Sequence, residues 1–210
     1  MKLTYRILLL ISGILMMPAA QAHHPIGGAV PSTGWEGLLS GLAHPIIAID
    51  HLLFLLAIAT LLGLSRAPIH KSALALLAFI LASLIGTALR GSDLTVPGLE
   101  LWIGASLLGA AFCLWQRRVP SVMPALLTLA TAGLMHGQAY GEAVIGAETT
   151  PMVWYLAGLL VAQGMPLLAG LCFVRRIAAQ HPQRLQTLAK LLSSAAASAG
   201  IWVVGLQLLA

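Results

Sequence analysis

Residues 38–64 read LLSGLAHPIIAIDHLLFLLAIATLLGL, and this stretch decides what kind of fold the chain can adopt. About 20 consecutive apolar residues are enough to cross the ~30 Å hydrocarbon core of a bilayer as a helix. Asp50 and His51 lie near the middle of the stretch. An ionised Asp at the centre of a spanning helix costs about 2.5–3.5 kcal/mol, and such residues normally face a bundle interior and mark an ion or proton path. The stretch therefore predicts a membrane-spanning helix that carries a buried polar site.

The composition of the whole chain agrees with a membrane protein. Of its 210 residues, 59% are hydrophobic and only 8% are charged. A soluble domain is usually about 45–50% apolar and about 25% charged. These values exclude an ordinary soluble globule, a disordered chain and a nucleic-acid binder. The two cysteines, Cys113 and Cys172, are too few for a disulfide framework, and we interpret them as packing residues.

Five further apolar stretches have lengths close to that of a spanning helix. Together with the first they occupy residues 38–64, 73–89, 99–115, 121–140, 151–174 and 188–209. Helices are expected because lipid cannot satisfy unpaired backbone groups. The sequence thus predicts an all-α integral membrane protein, a bundle of six transmembrane helices. Ala82 with Gly86 and Ala105 with Gly109 are pairs of small residues four apart, a spacing that lets helices approach closely.

The first residues are typical of a secretory signal peptide. Two basic residues precede a short apolar run at 7–17, and an A-x-A site ends at Ala22. We therefore predict a cleavable signal peptide over 1–22 and a six-helix transmembrane domain over 23–210. An uncleaved anchor is the alternative.

The distribution of Lys and Arg predicts the orientation. The segments after the first, third and fifth spans are basic, whereas the opposite segments are mostly acidic. Because cytoplasmic loops carry an excess of Lys and Arg, both mature termini are expected outside the cytoplasm of a bacterial inner membrane. The basic residues are Arg66, Lys71, Arg117, Arg118, Arg175, Arg176, Arg184 and Lys190.

Histidines and acids in two of the spans indicate a metal site. His44 and His51 are seven residues apart, so two helical turns place them on nearly one face. His136, near the outer end of the 121–140 span, is expected at the level of His44. Imidazoles with a few carboxylates suit first-row ions such as nickel, cobalt, zinc or copper(II). The candidate metal ligands are His44, Asp50, His51 and His136, with Glu142, His23 and His24 at the outer mouth.

The octapeptide from His44 to His51, HPIIAIDH, resembles a motif of the HupE/UreJ family of hydrogenase and urease accessory membrane proteins. The family pattern is similar to His-Pro-x-x-Gly-x-Asp-His. His44, Pro45, Asp50 and His51 match it, and Ala48 stands where the family has Gly.

A second segment, LMHGQAYGE, is similar to the family's later motif. His136, Gly137, Ala139 and Gly141 match, and Glu142 stands one position from the expected acid. The family often has another His in the segment QGMP that follows Ala162, and this chain has none there. The resemblance implies a nickel or cobalt permease that serves metalloenzymes, with hydrogenase or urease maturation proteins as partners.

The sequence favours transport over catalysis. We expect a permease for a divalent transition metal, Ni²⁺ first and Co²⁺ second, in which the metal is the transported ion and no organic cofactor takes part. The chain has no GxxxxGK[ST] loop for ATP. Two alternatives remain open at this point. One is an intramembrane metal-dependent hydrolase, in which His44, His51 and His136 hold a water-activating metal. The other is a metal-binding accessory protein that does not transport.

Overall fold

The structure is a computed structural model, and it describes residues 29–118 and 121–209. The predicted signal peptide, His23 and His24 lie outside these residues. Within the described ranges the chain is helical and contains no β-strand.

Seven α-helices and one short 3₁₀ turn make up the fold of the described residues. The helices are α1 (Gly34–Ile47), α2 (Ile49–Gly63), α3 (Ile69–Gly91), α4 (Leu99–Gln116), α5 (Val122–Gly141), α6 (Thr149–Gln180) and α7 (Pro182–Leu209), and the 3₁₀ turn is Glu142–Val144.

The first predicted span is bent rather than continuous. Ala48 takes an extended conformation (φ −80°, ψ 99°), and α1 and α2 meet there at an angle of 72°. Pro45 lies one turn before the break. It lacks a backbone N–H and so removes one helical hydrogen bond, which makes the helix less stable at this point. The expectation of one helix over 38–64 is therefore wrong in detail. The break creates a second helix N-terminus in the middle of the apolar stretch.

In the part of the chain that the structure describes, four helices are each long and apolar enough to cross a membrane: α3, α4, α6 and α7. The bent pair α1 and α2 counts as a fifth span if it is taken as one. The stretch 121–140 does form a helix, α5, but it is not among these candidates. Its inward-facing polar side chains, His136 and Gln138, lower its mean hydropathy. The sixth span stays a prediction.

Two helix pairs pack with their backbones in close contact. Gly133 and Gly137 of α5 lie against the main chain of α3, and a Cβ at either position would overlap main-chain atoms of Phe79 or Ser83. Gly41 of α1 lies in the same way against the main chain of Tyr155 on α6. Small residues allow this approach because no side chain separates the two helices. A hydrogen bond of 2.8 Å from Ser83 of α3 to Gln163 of α6 joins the two pairs.

Candidate metal site

Three histidines from two distant parts of the chain meet inside the bundle. His44 lies near the end of α1, His51 in the first turn of α2 and His136 on α5. Each has at most 1% of its surface exposed. The ring centroids of His44 and His51 are 6.1 Å apart, and those of His51 and His136 are 4.9 Å apart. We call these three residues the histidine cluster.

The bend between α1 and α2 explains why His44 and His51 lie so close. On a straight helix, residues seven apart are separated by about 10 Å along the axis. The 72° bend at Ala48 shortens this path and places the two rings side by side.

Asp50 lies next to the histidine cluster at the start of α2. Its Oδ1 accepts a hydrogen bond from the backbone N–H of His51 at 2.9 Å, and the residue is half-buried. Backbone N–H groups at a helix N-terminus have no intrahelical partner, and the helix dipole there favours a negative charge. The break at Ala48 thus provides a favourable position for a carboxylate within an apolar stretch.

Hydrogen bonds to two hydroxyl groups, and one between two of the rings, hold the histidine side chains in place. His51 Nδ1 is 2.9 Å from His136 Nδ1, and His136 Nε2 is 2.9 Å from Ser106 Oγ on α4. His44 Nδ1 is 2.7 Å from the hydroxyl of Tyr155 on α6. Every ring of the cluster therefore makes at least one short polar contact through a ring nitrogen.

Aromatic side chains, chiefly Tyr140 and Phe54, pack against the three histidine rings. Tyr140 packs edge-on against both His44 and His51, with centroid distances of 5.2 and 4.5 Å. Phe54 stacks on His136 at 4.3 Å with an interplanar angle of 25°. These contacts restrict the rings to few orientations, and they also exclude bulk water from the cluster.

A cavity of about 260 Å³ lies beside His136, between α2, α4 and α5. Its wall is mainly apolar and includes Phe54 and Ser106, two of the residues that contact the His136 ring. The cavity is therefore separated from the histidine cluster only by residues that contact the His136 ring.

The remaining predicted ligands lie elsewhere. Glu142 forms an ion pair with Arg90 of α3 at 3.2 Å, and its side chain is 43% exposed. Gln163, in the segment where the family often has a histidine, accepts a hydrogen bond from Ser83 at 2.8 Å. The structure thus brings His44, His51 and His136 together with Asp50 beside them, and it engages Glu142 in a different contact.

Sequence reasoning missed Tyr140, Tyr155 and Ser106. Tyr140 lies one helical turn after His136, inside the segment LMHGQAYGE, so its helix face could have suggested it. Tyr155 and Ser106 gave no such signal, because a single Tyr or Ser is common in an apolar helix.

The cluster is not a preformed cage for an ion. No group of three or more His, Cys, Asp or Glu side chains within residues 29–118 and 121–209 is arranged to bind a metal. Two of the three rings share a hydrogen bond through their Nδ1 atoms. An ion held by all three rings would first have to break that bond.

The apolar helices and the buried polar centre define the class of this protein, a multi-pass, all-helical membrane protein. A family model described as HupE / UreJ protein matches residues 9–203. The chain therefore belongs to the HupE/UreJ family, and the resemblance drawn from its motifs is confirmed. The family is one of transporters and accessory proteins, and membership indicates a membrane role in nickel or cobalt transport or an accessory role in handling these metals. The comparison with curated proteins and the comparison with solved structures each gave no match.

Proposed function

We propose that this protein is a permease that carries a divalent transition-metal ion, Ni²⁺ first and Co²⁺ second, across the bacterial inner membrane for metalloenzyme maturation. The observation that supports the proposal most is the meeting of His44, His51 and His136 in the interior of an apolar bundle. Buried polar residues in a membrane protein are expensive and are typical of ion pathways.

The chemistry of the cluster suits such an ion. Neutral imidazole nitrogen is a good ligand for nickel, cobalt and zinc. Asp50 supplies a negative charge beside the rings, and this offsets part of the cost of bringing a dication into an apolar bundle. We propose that Glu142, together with His23 and His24, raises the local ion concentration at the outer mouth.

One contact supports the proposed orientation. Arg175 of α6 donates hydrogen bonds to the carbonyl of Ala67, at 2.8 Å, and to Ser72, at 3.0 Å. Two of the predicted basic segments therefore lie at the same end of the bundle. The pair Arg90 and Glu142 joins the ends of α3 and α5. We propose that the basic end faces the cytoplasm.

Uptake of radioactive nickel and cobalt by cells or proteoliposomes tests the proposal. We expect His51→Ala and Asp50→Asn each to lower uptake by at least about 10-fold, because losing even a group that only supports a metal ligand commonly costs that much. His70→Ala and His181→Ala are matched controls, since both histidines are exposed and lie at or beside the start of a helix away from the cluster. These two variants should transport like the wild type.

The outcome separates transport from its alternatives. Full uptake in both His51→Ala and Asp50→Asn would overturn the proposed site. Binding of Ni²⁺ by purified protein without flux into liposomes would instead identify a non-transporting accessory protein.

A further inference from the structure

The hydroxyl of Tyr155 determines which nitrogen of His44 carries a proton. This hydroxyl has one hydrogen and makes two short contacts, one to the carbonyl oxygen of Tyr140 at 2.7 Å and one to His44 Nδ1 at 2.7 Å. A carbonyl oxygen can only accept, so the hydroxyl hydrogen is donated to Tyr140. His44 Nδ1–H must then donate to the Tyr155 oxygen. A neutral imidazole has a single N–H, and His44 Nε2 therefore carries a lone pair.

Ser106 fixes the other two rings in the same way. Its hydroxyl donates to the carbonyl of Ile103 at 2.7 Å and is 2.9 Å from His136 Nε2. The serine hydrogen is already used, so His136 donates through Nε2–H and its Nδ1 is an acceptor.

The tautomer of His136 determines the tautomer of His51. His136 Nδ1 lies 2.9 Å from His51 Nδ1, and the acceptor nitrogen of His136 requires a donor at that distance. His51 therefore carries its proton on Nδ1 and presents a lone pair at Nε2. His44 and His51 reach the same tautomer through two separate chains of hydrogen bonds, each of which ends at a main-chain carbonyl.

We propose that Tyr155 and Ser106 are positioning residues that hold His44 and His51 as Nδ1–H tautomers, so that both present Nε2 to one divalent metal ion, while His136 orients His51 and does not coordinate the ion. This inference rests on the proposed function, in that the ion is the permease substrate. Two imidazoles that bind one ion at about 2.0–2.1 Å have ring centroids on the order of 5–6 Å apart. The 6.1 Å between His44 and His51 is close to that range.

Metal-binding histidines commonly donate their second ring N–H to an oxygen, which fixes both the tautomer and the ring orientation. In this protein the oxygens that accept these bonds belong to the hydroxyls of Tyr155 and Ser106. Each hydroxyl in turn donates to a main-chain carbonyl, a group that does not titrate. The opposite tautomer of His44 would face the Tyr155 oxygen with a lone pair unless Tyr155 released the buried carbonyl of Tyr140. Neither series of hydrogen bonds contains a charged side chain, and each leaves one Nε2 lone pair, of His44 or of His51, that is able to bind an ion.

The test combines nitrogen-15 NMR of histidine-labelled, full-length protein in nanodiscs with Ni²⁺ binding to the same samples. In the wild type we expect His44 and His51 to show an unprotonated Nε2 and His136 an unprotonated Nδ1, with each signal assigned by its loss in the corresponding His→Asn variant. Tyr155→Phe keeps the ring but removes the acceptor. His44 should become a mixture of tautomers, and Ni²⁺ affinity should fall about 10- to 100-fold.

Tyr140→Phe is the matched control for the spectrum. The Tyr140 ring also contacts His44, but its own hydroxyl has no hydrogen-bond partner within the described residues. Its removal should leave the His44 tautomer unchanged. A wild-type spectrum with His44 or His51 protonated at Nε2 would overturn the inference, even if Tyr155→Phe failed to fold.

Substitution of His136 distinguishes a positioning role from coordination. Asn places an acceptor oxygen near the position of Nδ1, so His136→Asn should retain the His51 tautomer and bind Ni²⁺ within about 3-fold of the wild type, whereas His136→Leu should lose about 10- to 100-fold. Equal loss in both variants would make His136 a ligand and would contradict the inference. If wild-type protein shows the expected tautomers but neither binds nor transports Ni²⁺, the proposed function fails and the tautomer assignment stands. Transport with other tautomers refutes the inference alone.

Discussion

Two pairs of small residues have the same spacing in the sequence but different surroundings in the structure. In α3, a Cβ at Gly86 would overlap the carbonyl oxygen of Leu134 on α5. In α4, a Cβ at Gly109 would meet nothing within 4 Å, and Gly109 lines the cavity beside α5. The same pattern thus marks a close helix contact in one place and an open space in the other. Spacing identifies a surface that is able to pack closely, but it does not say whether a partner is present.

This difference matters for the site because His136 lies on α5, the helix that faces both pairs. On the α3 side, the glycine contacts set the distance of α5 by backbone packing. On the α4 side, His136 contacts α4 through its hydrogen bond to Ser106, which lies one turn before Gly109 and next to the cavity. One side of the site is therefore fixed by close packing, and the other side has room for movement.

Gly86→Leu should have the largest effect. The added side chain would meet the main chain of Leu134, which cannot rotate away, so α3 and α5 would have to separate. Overpacking of this kind costs about 1–3 kcal/mol and occasionally more. We expect a clear fall in the unfolding temperature of the purified protein in detergent, together with loss of Ni²⁺ uptake as His136 moves.

Gly109→Leu is the matched control, because it makes the same chemical change in open space. Its stability should stay within about 0.5 kcal/mol of the wild type, as for most substitutions that create no clash. Equal destabilisation by the two leucines would show that the helix contacts do not differ as described.

Part of this fold and of its candidate site could be predicted from the sequence alone. The helical membrane class and the meeting of His44, His51 and His136 were accessible, since ionisable residues in apolar stretches are too costly to be incidental. The bend at Ala48 could not be predicted from the sequence, because a proline permits a break in a helix without requiring one. Tyr155 and Ser106 were also inaccessible, since their roles depend on which helices become neighbours. That is the same information that separates Gly86 from Gly109.

Thr87→Val tests the polar part of the contact between α3 and α5, and a smaller effect is expected. The Thr87 hydroxyl is fully buried and lies 2.9 Å from the carbonyl of Ser83 and 3.0 Å from that of Gly137. Valine keeps the shape but removes the hydrogen bond. Hydrogen bonds between membrane helices average about 0.6 kcal/mol, so a loss of about 0.5–1 kcal/mol is expected in reversible unfolding.

The control for this substitution is Thr131→Val on α5. Thr131 is exposed, and its hydroxyl bonds the carbonyl of Leu127 within the same helix at 3.0 Å. Its replacement should change stability by less than that of Thr87. A larger effect at Thr131 would contradict a contribution from the hydrogen bond between helices.

Glu142→Gln should have the smallest effect, at the end of the same contact between α3 and α5. The pair with Arg90 is partly exposed, and such pairs contribute about 0–1 kcal/mol, less at high salt. We expect a small loss of stability that disappears at high ionic strength. Because the carboxylate contacts Arg90 and acts only at the outer mouth in our proposal, the Ni²⁺ concentration for half-maximal uptake should rise about twofold without a change in the maximal rate.

A more than 10-fold loss of uptake would place Glu142 in the ion site itself. The double variant with Arg90→Gln separates the two roles, because pairing with Arg90 is lost already in either single variant, whereas attraction of the ion is lost only with the carboxylate.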